Sequence, residues 1–370
     1  MNSQTTSWTP DQLAVLKVGP TTQAPLIGRE DIAPAFPDIC IWDAWPLQRR
    51  DGQLAEPELW MALASRWFKD SEERHAEARI HLLERTPHGW HDLGPVLPDG
   101  YSPGSREWSG SAFLEADRTT LTLYFTAAGR RGEAELSFLQ RLYEVQMTLG
   151  LEAGRWQLSD WRNLRELIAR DPQYYMDPEA GNGTIGTIKA FRDPGYFQDP
   201  KTNRHWLFFT SSLAASTSPF NGAIGAAVAL GDDPDDWKIL PPLVSAEGLN
   251  NELERPHIIA HGGLYYLFWS TQSQVFAPDG PSGPTGLYGM VSDKLDSGWK
   301  PLNGSGLVIA NPSDAPRQAY SWFVLPDLTV ASFVDDWGRS SGAEGAKRFG
   351  GSFAPFLRIV LDGTSTSLVS

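Results

Sequence analysis

From about residue 40 onward the chain repeats one pattern. Short runs rich in β-branched and aromatic residues alternate with clusters of Gly, Pro, Asp and Asn. The runs include LWMALASRW (59–67), RIHLLERT (79–86), TLTLYFTA (120–127), HWLFFTSS (205–212), LYYLFWST (264–271) and LYGMVSD (287–293). HGGLYYLFW reads as a hairpin arm leaving a turn, because Gly262 and Gly263 can supply positive φ. Helical patterns are few, and the best of them, NLRELIARD, predicts a helix over 163–171. Many short strands with regular turns mean an all-β sandwich, barrel or propeller, and the pattern alone leaves all three open. No sequence repeat of fixed period stands out, and no linker rich in Pro, Gly or Ser divides the chain. The expectation is therefore one domain over residues 1–370, with 1–35 as a polar N-terminal arm and 273–286 as a long surface loop.

The 370 residues can bury a large core without staples, and the single Cys40 excludes an intramolecular disulfide. Cys40 itself reads as a small buried hydrophobe. A net charge of −14 disfavours nucleic acid, which needs clustered Lys and Arg, and disfavours anionic membranes. No window approaches the roughly 18 apolar residues of a membrane-spanning helix. The first residues lack the basic stretch and long apolar core of a secretory signal, so the expected location is the cytoplasm, or outside the cell without a cleaved signal. The 15 tryptophans serve equally well as core and as faces for sugar rings.

Four segments place acidic residues beside aromatic or basic ones. IWDAWPLQ (41–48) sets Asp43 between Trp42 and Trp45, EWSGSA (107–112) sets Ser109 beside Trp108, FRDPGYF (191–197) joins Arg192 to Asp193, and NELERPH (251–257) carries Glu252, Glu254 and Arg255. In a strand Glu252 and Glu254 share a face, and two like charges that close raise each other's pKa. Arg255 would point to the other face, or across if Pro256 bends the strand. Asp193 beside Arg192 is expected to stay ionised. On its own each acid is more often a turn, cap or solvated strand residue. Together they supply the nucleophile, the acid and the further fixed negative charge that a retaining glycosidase needs around an oxocarbenium-like transition state.

These segments resemble glycoside hydrolase family 68, the levansucrases, inulosucrases and β-fructofuranosidases. Further similar stretches follow in the same order: WKILPPLVSAEGLNNELERPHI (237–258), YYLFWS (265–270), GLYGMVSD (286–293), PLNGSGLVIANPS (301–313) and QAYSWFVLPD (318–327). The resemblance spans residues 35 to 362 and implies a five-bladed β-propeller with a central acidic pocket, acting on sucrose. It implies Asp43 as nucleophile, Asp193 as transition-state stabiliser and Glu254 as general acid/base. Trp42, Trp108, Ser109, Arg192, Glu252, Arg255, Gln272 and Tyr320 would bind the sugars. The activity implied is fructosyl transfer from sucrose to sugars or water, with a mainly hydrolytic β-fructofuranosidase as the alternative and a non-catalytic sugar-binding propeller as a remote one.

Two departures fall where acceptor sugars are expected. Gln272 stands where many members carry Arg or His, and Trp322 where many carry His. Thr187 and Asn251 occupy places where a calcium-binding member would carry Asp. Neither a metal nor another cofactor is therefore expected.

Overall fold

The computed structural model describes residues 4–32, 36–181, 187–338 and 347–369. The described residues run through five successive antiparallel meanders, so the repeat that the sequence hides is present in the strands. Each meander starts on a strand that faces the starting strands of its neighbours. In chain order these are β1 (Ile39–Gln48), β2 (Arg106–Leu114), β3 (Phe191–Gln198), β4 (Glu254–His261) and β5 (Ala319–Val324). β1 leads to Leu59–Arg66, Arg79–Thr86 and Gly89–Pro95, and β2 to Thr120–Ala128, Gln140–Glu152 and Arg155–Ile168. β3 leads to His205–Ser212, Gly222–Ala229 and Trp237–Ser245, and β4 to Leu264–Thr271, Gly286–Ser292 and two short strands beside it. β5 leads to Thr329–Val334, Leu357–Asp362 and Ser365–Leu368. A short parallel pairing, Leu47 with Ala112 and Gln48 with Phe113, joins the first two meanders into one sheet.

Burial follows from this stacking. Middle strands such as His205–Ser212, Gly222–Ala229 and Gly286–Ser292 are buried along their whole length, because sheets cover both of their faces. The outer strand Leu357–Asp362 alternates buried and exposed residues, as a strand covered on one face must. Side chains such as Trp60, Phe125, Phe208 and Trp269 fill the space between the sheets. Cys40 is buried, as expected. No helix among the described residues is long and apolar enough to cross a membrane.

The hairpin at Gly262 and Gly263 forms as read, with φ of 57° and 80° and His261 paired to Leu264. The helix expected over 163–171 does not form. Residues 163–168 are the end of the strand Arg155–Ile168, which pairs with Gln140–Glu152. Asp160 and Asn163 take positive φ where the register shifts, and a further shift between Leu142 and Tyr143 leaves Leu167 and Ile168 buried side by side, so the apolar residues of this bulged strand do not alternate. The N-terminal arm is part of the packing. Thr6–Ser7 pairs with Val244–Ser245, and Trp8 is buried with its indole N–H donating to Ser305 O at 2.9 Å.

All five starting strands carry a register shift at the corresponding place: Trp42/Trp45, Trp108/Gly110, Arg192/Gly195, Glu254/His257 and Tyr320/Phe323. In four of them a non-glycine residue sits at the bulge with positive φ, namely Asp43 (49°), Asp193 (59°), Arg255 (54°) and Ser321 (58°). Such backbone is unfavourable for L-residues and persists only where surrounding bonds hold it. The starting strands contact one another in the cyclic order β1, β2, β3, β4, β5 and back to β1. Gly195 permits one of these approaches, since a Cβ there would lie 2.3 Å from Pro256 O.

Candidate active site

The bulges turn side chains out of the ladder and into one hydrogen-bonded network that crosses all five starting strands. Asp193, on β3, accepts from Ser109 Oγ of β2 at 2.7 Å and from Thr210 Oγ1 at 2.9 Å. Its own backbone N–H donates to Thr126 Oγ1 at 2.9 Å, which fixes the bulge. Arg192 Nη2 donates to Glu254 Oε1 at 2.8 Å, and its Nε lies 3.5 Å from Asp193 Oδ2. Tyr320, on β5, donates its hydroxyl to Glu254 Oε2. Arg255 Nη2 donates to Ala44 O of β1 at 2.8 Å, and Nη1 donates to Ser321 O at 3.2 Å and to the Ser321 hydroxyl. The Arg255 backbone N–H donates to Thr210 Oγ1 at 3.0 Å. Arg255 therefore ties the Glu254 strand to the residue next to Asp43.

Electrostatics bind the same groups together. Burial pushes the Asp43 carboxyl up to about 6, helped by the negative charges of Glu254 and Asp193 and opposed by Arg255 and a hydrogen bond with Ser321. Burial also raises Asp193, against the expectation that Arg192 would hold it low. Desolvation outweighs the neighbouring guanidinium and the two hydroxyl donors. Glu252 rises to about 8, through burial first and Glu254 second. The like-charge effect expected for the pair is present, but a strand face does not produce it. β4 begins at Glu254, and Glu252 lies before it, with its backbone N–H donating to Asn250 Oδ1 at 2.8 Å. Arg192 is the charge that both glutamates face. Of the two orientations open to Arg255, the structure has the one that reaches across.

The remaining residues singled out in the sequence divide. Trp108 is half-buried, with the Arg106 guanidinium 5.7 Å from its ring centre. Trp42 is only 1% exposed and packs against Arg74 and His75. Gln272 sits half-buried just past the strand Leu264–Thr271, and its amide oxygen accepts from the Gln274 side chain. Trp322 is also 1% exposed and faces a small cavity lined by Ala24, Pro25 and Ile27. Its indole packs in the core, with its ring centre 6.0 Å from that of Tyr320. Thr126, Thr210 and Ser321 belong to the network without having been singled out. Thr210 could have been found inside HWLFFTSS, where the apolar run Trp206–Phe209 gives way to three hydroxyl residues that are still fully buried. Asn251 accepts a hydrogen bond from the Lys189 ammonium.

Comparison with known proteins follows this geometry. A family model described as Levansucrase/Invertase matches residues 1–221 and 216–370. The levansucrase LscA of Pseudomonas savastanoi pv. glycinea is 33% identical, covering 98% of this chain and 94% of the relative. The levansucrase of Erwinia amylovora is 32% identical over 100% of this chain and 95% of its own. The solved inulosucrase from Halalkalicoccus jeotgali bound to kestose superposes with a TM-score of 0.90 at 35% identity, over 99% of this chain and 95% of that one.

Proposed function

The chain belongs to glycoside hydrolase family 68, the levansucrase/invertase family, and from that premise we infer that it is a sucrose-cleaving fructosyltransferase that makes levan or other fructans. The observation that carries the reading to named atoms is the network in which Asp43, Asp193 and Glu254 meet through Arg192, Arg255, Ser321 and Tyr320. The cyclic contacts of the five starting strands support a five-bladed propeller whose axis carries these acids as an acidic pocket, with the whole chain as one catalytic unit.

In this reading Asp43 attacks the anomeric carbon of the fructosyl unit, and Glu254 gives a proton to the departing glucose oxygen. A fructosyl ester on Asp43 results. Glu254, now anionic, takes a proton from an incoming sugar hydroxyl or water, whose oxygen displaces Asp43. Asp193, held by Ser109 and Thr210, accepts hydrogen bonds from fructose hydroxyls that strengthen as positive charge grows on the ring. Arg192 and Tyr320 hold the two oxygens of Glu254 in place between proton transfers. Trp42, Trp108, Glu252 and Arg255 frame the donor sugar, and Gln272 borders the acceptor side. Arg255 and Ser321 moderate the rise in the Asp43 pKa, which keeps the nucleophile ionised near neutrality.

Incubation with concentrated sucrose tests the reading. Glucose released in excess over fructose, with oligosaccharide or polymer in the balance, is the expected result. Equal glucose and fructose would make the protein an invertase-type hydrolase, and no release would refute the function.

A further inference from the structure

Lys189 lies two residues before β3 and is almost fully buried. Its ammonium donates to Pro219 O at 2.6 Å, Asn251 Oδ1 at 2.7 Å and Asn221 Oδ1 at 2.8 Å. These three acceptors match the three N–H bonds of an ammonium and come from two separate segments. Both amides are themselves fixed. Asn221 Nδ2 donates to Leu213 O at 3.1 Å, and Asn251 Nδ2 donates to Ile188 O at 3.0 Å. Asn251 therefore bonds both the lysine and the residue preceding it. Gly222 closes the arrangement. Its N–H donates to Asn250 O at 2.9 Å, and a Cβ there would lie 2.6 Å from Asn251 O. The segment gripped in this way leads directly into Glu252 and Glu254, while the lysine leads directly into Arg192 and Asp193.

We propose that Lys189 is a positioning residue for the site: its ammonium is a tethered cation that clamps residues 250–252 to the strand carrying Arg192 and Asp193, and so sets Glu252 and Glu254 against Arg192. A buried ammonium can hold this place because its charge is met by three oxygens and faces the Glu252 carboxyl. An amide or apolar side chain could not supply three donors to three diverging acceptors. The lysine touches neither sugar nor reacting atoms. It acts through Asn251 and the backbone that follows.

This role rests on the fructosyltransferase reading for its kinetic consequences but not for its structural one. Lys189→Ala should lower kcat/KM for sucrose at least tenfold. Ammonium chloride should restore it severalfold, because a free ammonium ion can enter the three-oxygen site. Tetramethylammonium chloride at equal concentration should not, having no N–H to donate. Asn251→Ala, which removes the acceptor nearest Glu252, should fold with a lowered melting temperature, because the buried ammonium loses one partner, and show the same tenfold loss well below that temperature; it decides the matter if Lys189→Ala does not fold. Amide exchange over residues 249–255, measured without sugar, should quicken in either variant, whatever the parent does to sucrose. Parental kcat/KM in Asn251→Ala, a loss in folded Lys189→Ala that ammonium does not relieve, or unchanged exchange over 249–255 would overturn the role. A parent that releases no glucose from sucrose would instead refute the functional reading, and the exchange measurement would still decide the clamp.

Discussion

Arg192 Nη2 stands 2.8 Å from Glu254 Oε1, joining a guanidinium on one starting strand to the proposed acid/base on the next. Both side chains are largely shielded, with 6% and 18% of their surfaces exposed. The same guanidinium lies 3.5 Å from Asp193, so it sets the spacing of two of the three proposed catalytic acids. Removing one partner of such a pair leaves the others uncompensated in a poorly solvated place. Arg192→Ala should reduce kcat by roughly 10²–10³-fold, the scale of losing one preorganised electrostatic partner. Steady-state kinetics on sucrose check this, and a kcat within a factor of three of the parent's would remove Arg192 from the mechanism.

The raised Asp43 pKa fixes the acid limb of the pH profile. As the proposed nucleophile, Asp43 must be anionic to attack, and it takes up a proton as the pH falls through about 6. Below that point kcat/KM should fall by about tenfold per unit, because the profile reports the free enzyme's essential base. A plateau continuing down to pH 4 would mean that the attacking carboxylate is not this one.

Glu252 gives a stability prediction with a definite sign. Its folded pKa of about 8 exceeds the ordinary value of 4.5, so between those limits the folded state holds a proton that the unfolded chain has released. Stability from this group is full below about pH 4.5 and is lost as the pH rises through about 8. Asp43 and Asp193 act in the same direction, which makes the site a liability at alkaline pH. Glu252→Gln should therefore flatten the decline of Tm between pH 5 and pH 8 without abolishing it. Melting curves across that range decide the point, and an unchanged slope would contradict the assignment.

Thr210 serves two strands at once, donating to Asp193 and accepting from the Arg255 N–H. Thr210→Val keeps the shape but strands both partners, at a cost of about 1–3 kcal/mol for each unsatisfied buried group. Lower kcat and lower Tm should appear together, whereas Thr210→Ser should restore both. If Val and Ser variants behave alike, the hydroxyl has no role.

Gln272 lies outside the carboxylate network, and its amide oxygen is engaged by Gln274. Gln272→Arg should change the length distribution of products while leaving the rate of glucose release within about twofold, well inside one decade of transition-state stabilisation. Chromatography of products at matched sucrose consumption tests this, and an identical profile would take Gln272 out of acceptor control.

Much of this was legible in the residues. Strand and turn alternation gave an all-β chain, and the WDAWPLQ, FRDPGYF and NELERP segments contained the acids that the fold brings together. The bulges were not legible, because a local register shift depends on partners distant in sequence. One consequence was the helix expected at 163–171, where Asp160 and Asn163 disguise a strand. Another is the packing of Trp322, which the resemblance set near acceptor sugars and whose indole is buried just past the bulge at Ser321. The direction of the Asp193 pKa shift was misjudged for a different reason. Its neighbour Arg192 is visible in sequence, but the desolvation that outweighs it is not. Lys189 gave no signal at all, since its three acceptors lie about 30 and 60 residues away and carry no charge.

The proposed chemistry stands on a covalent bond between Asp43 and fructose. Acid-quenching the protein during sucrose turnover, then digesting it and weighing the peptides, observes that bond directly. A fructosyl mass on the peptide containing Asp43, and its loss in Asp43→Ala, is the predicted result. A fructosyl mass on Asp193 or Glu254 instead, or undiminished sucrose cleavage by Asp43→Ala, would contradict it.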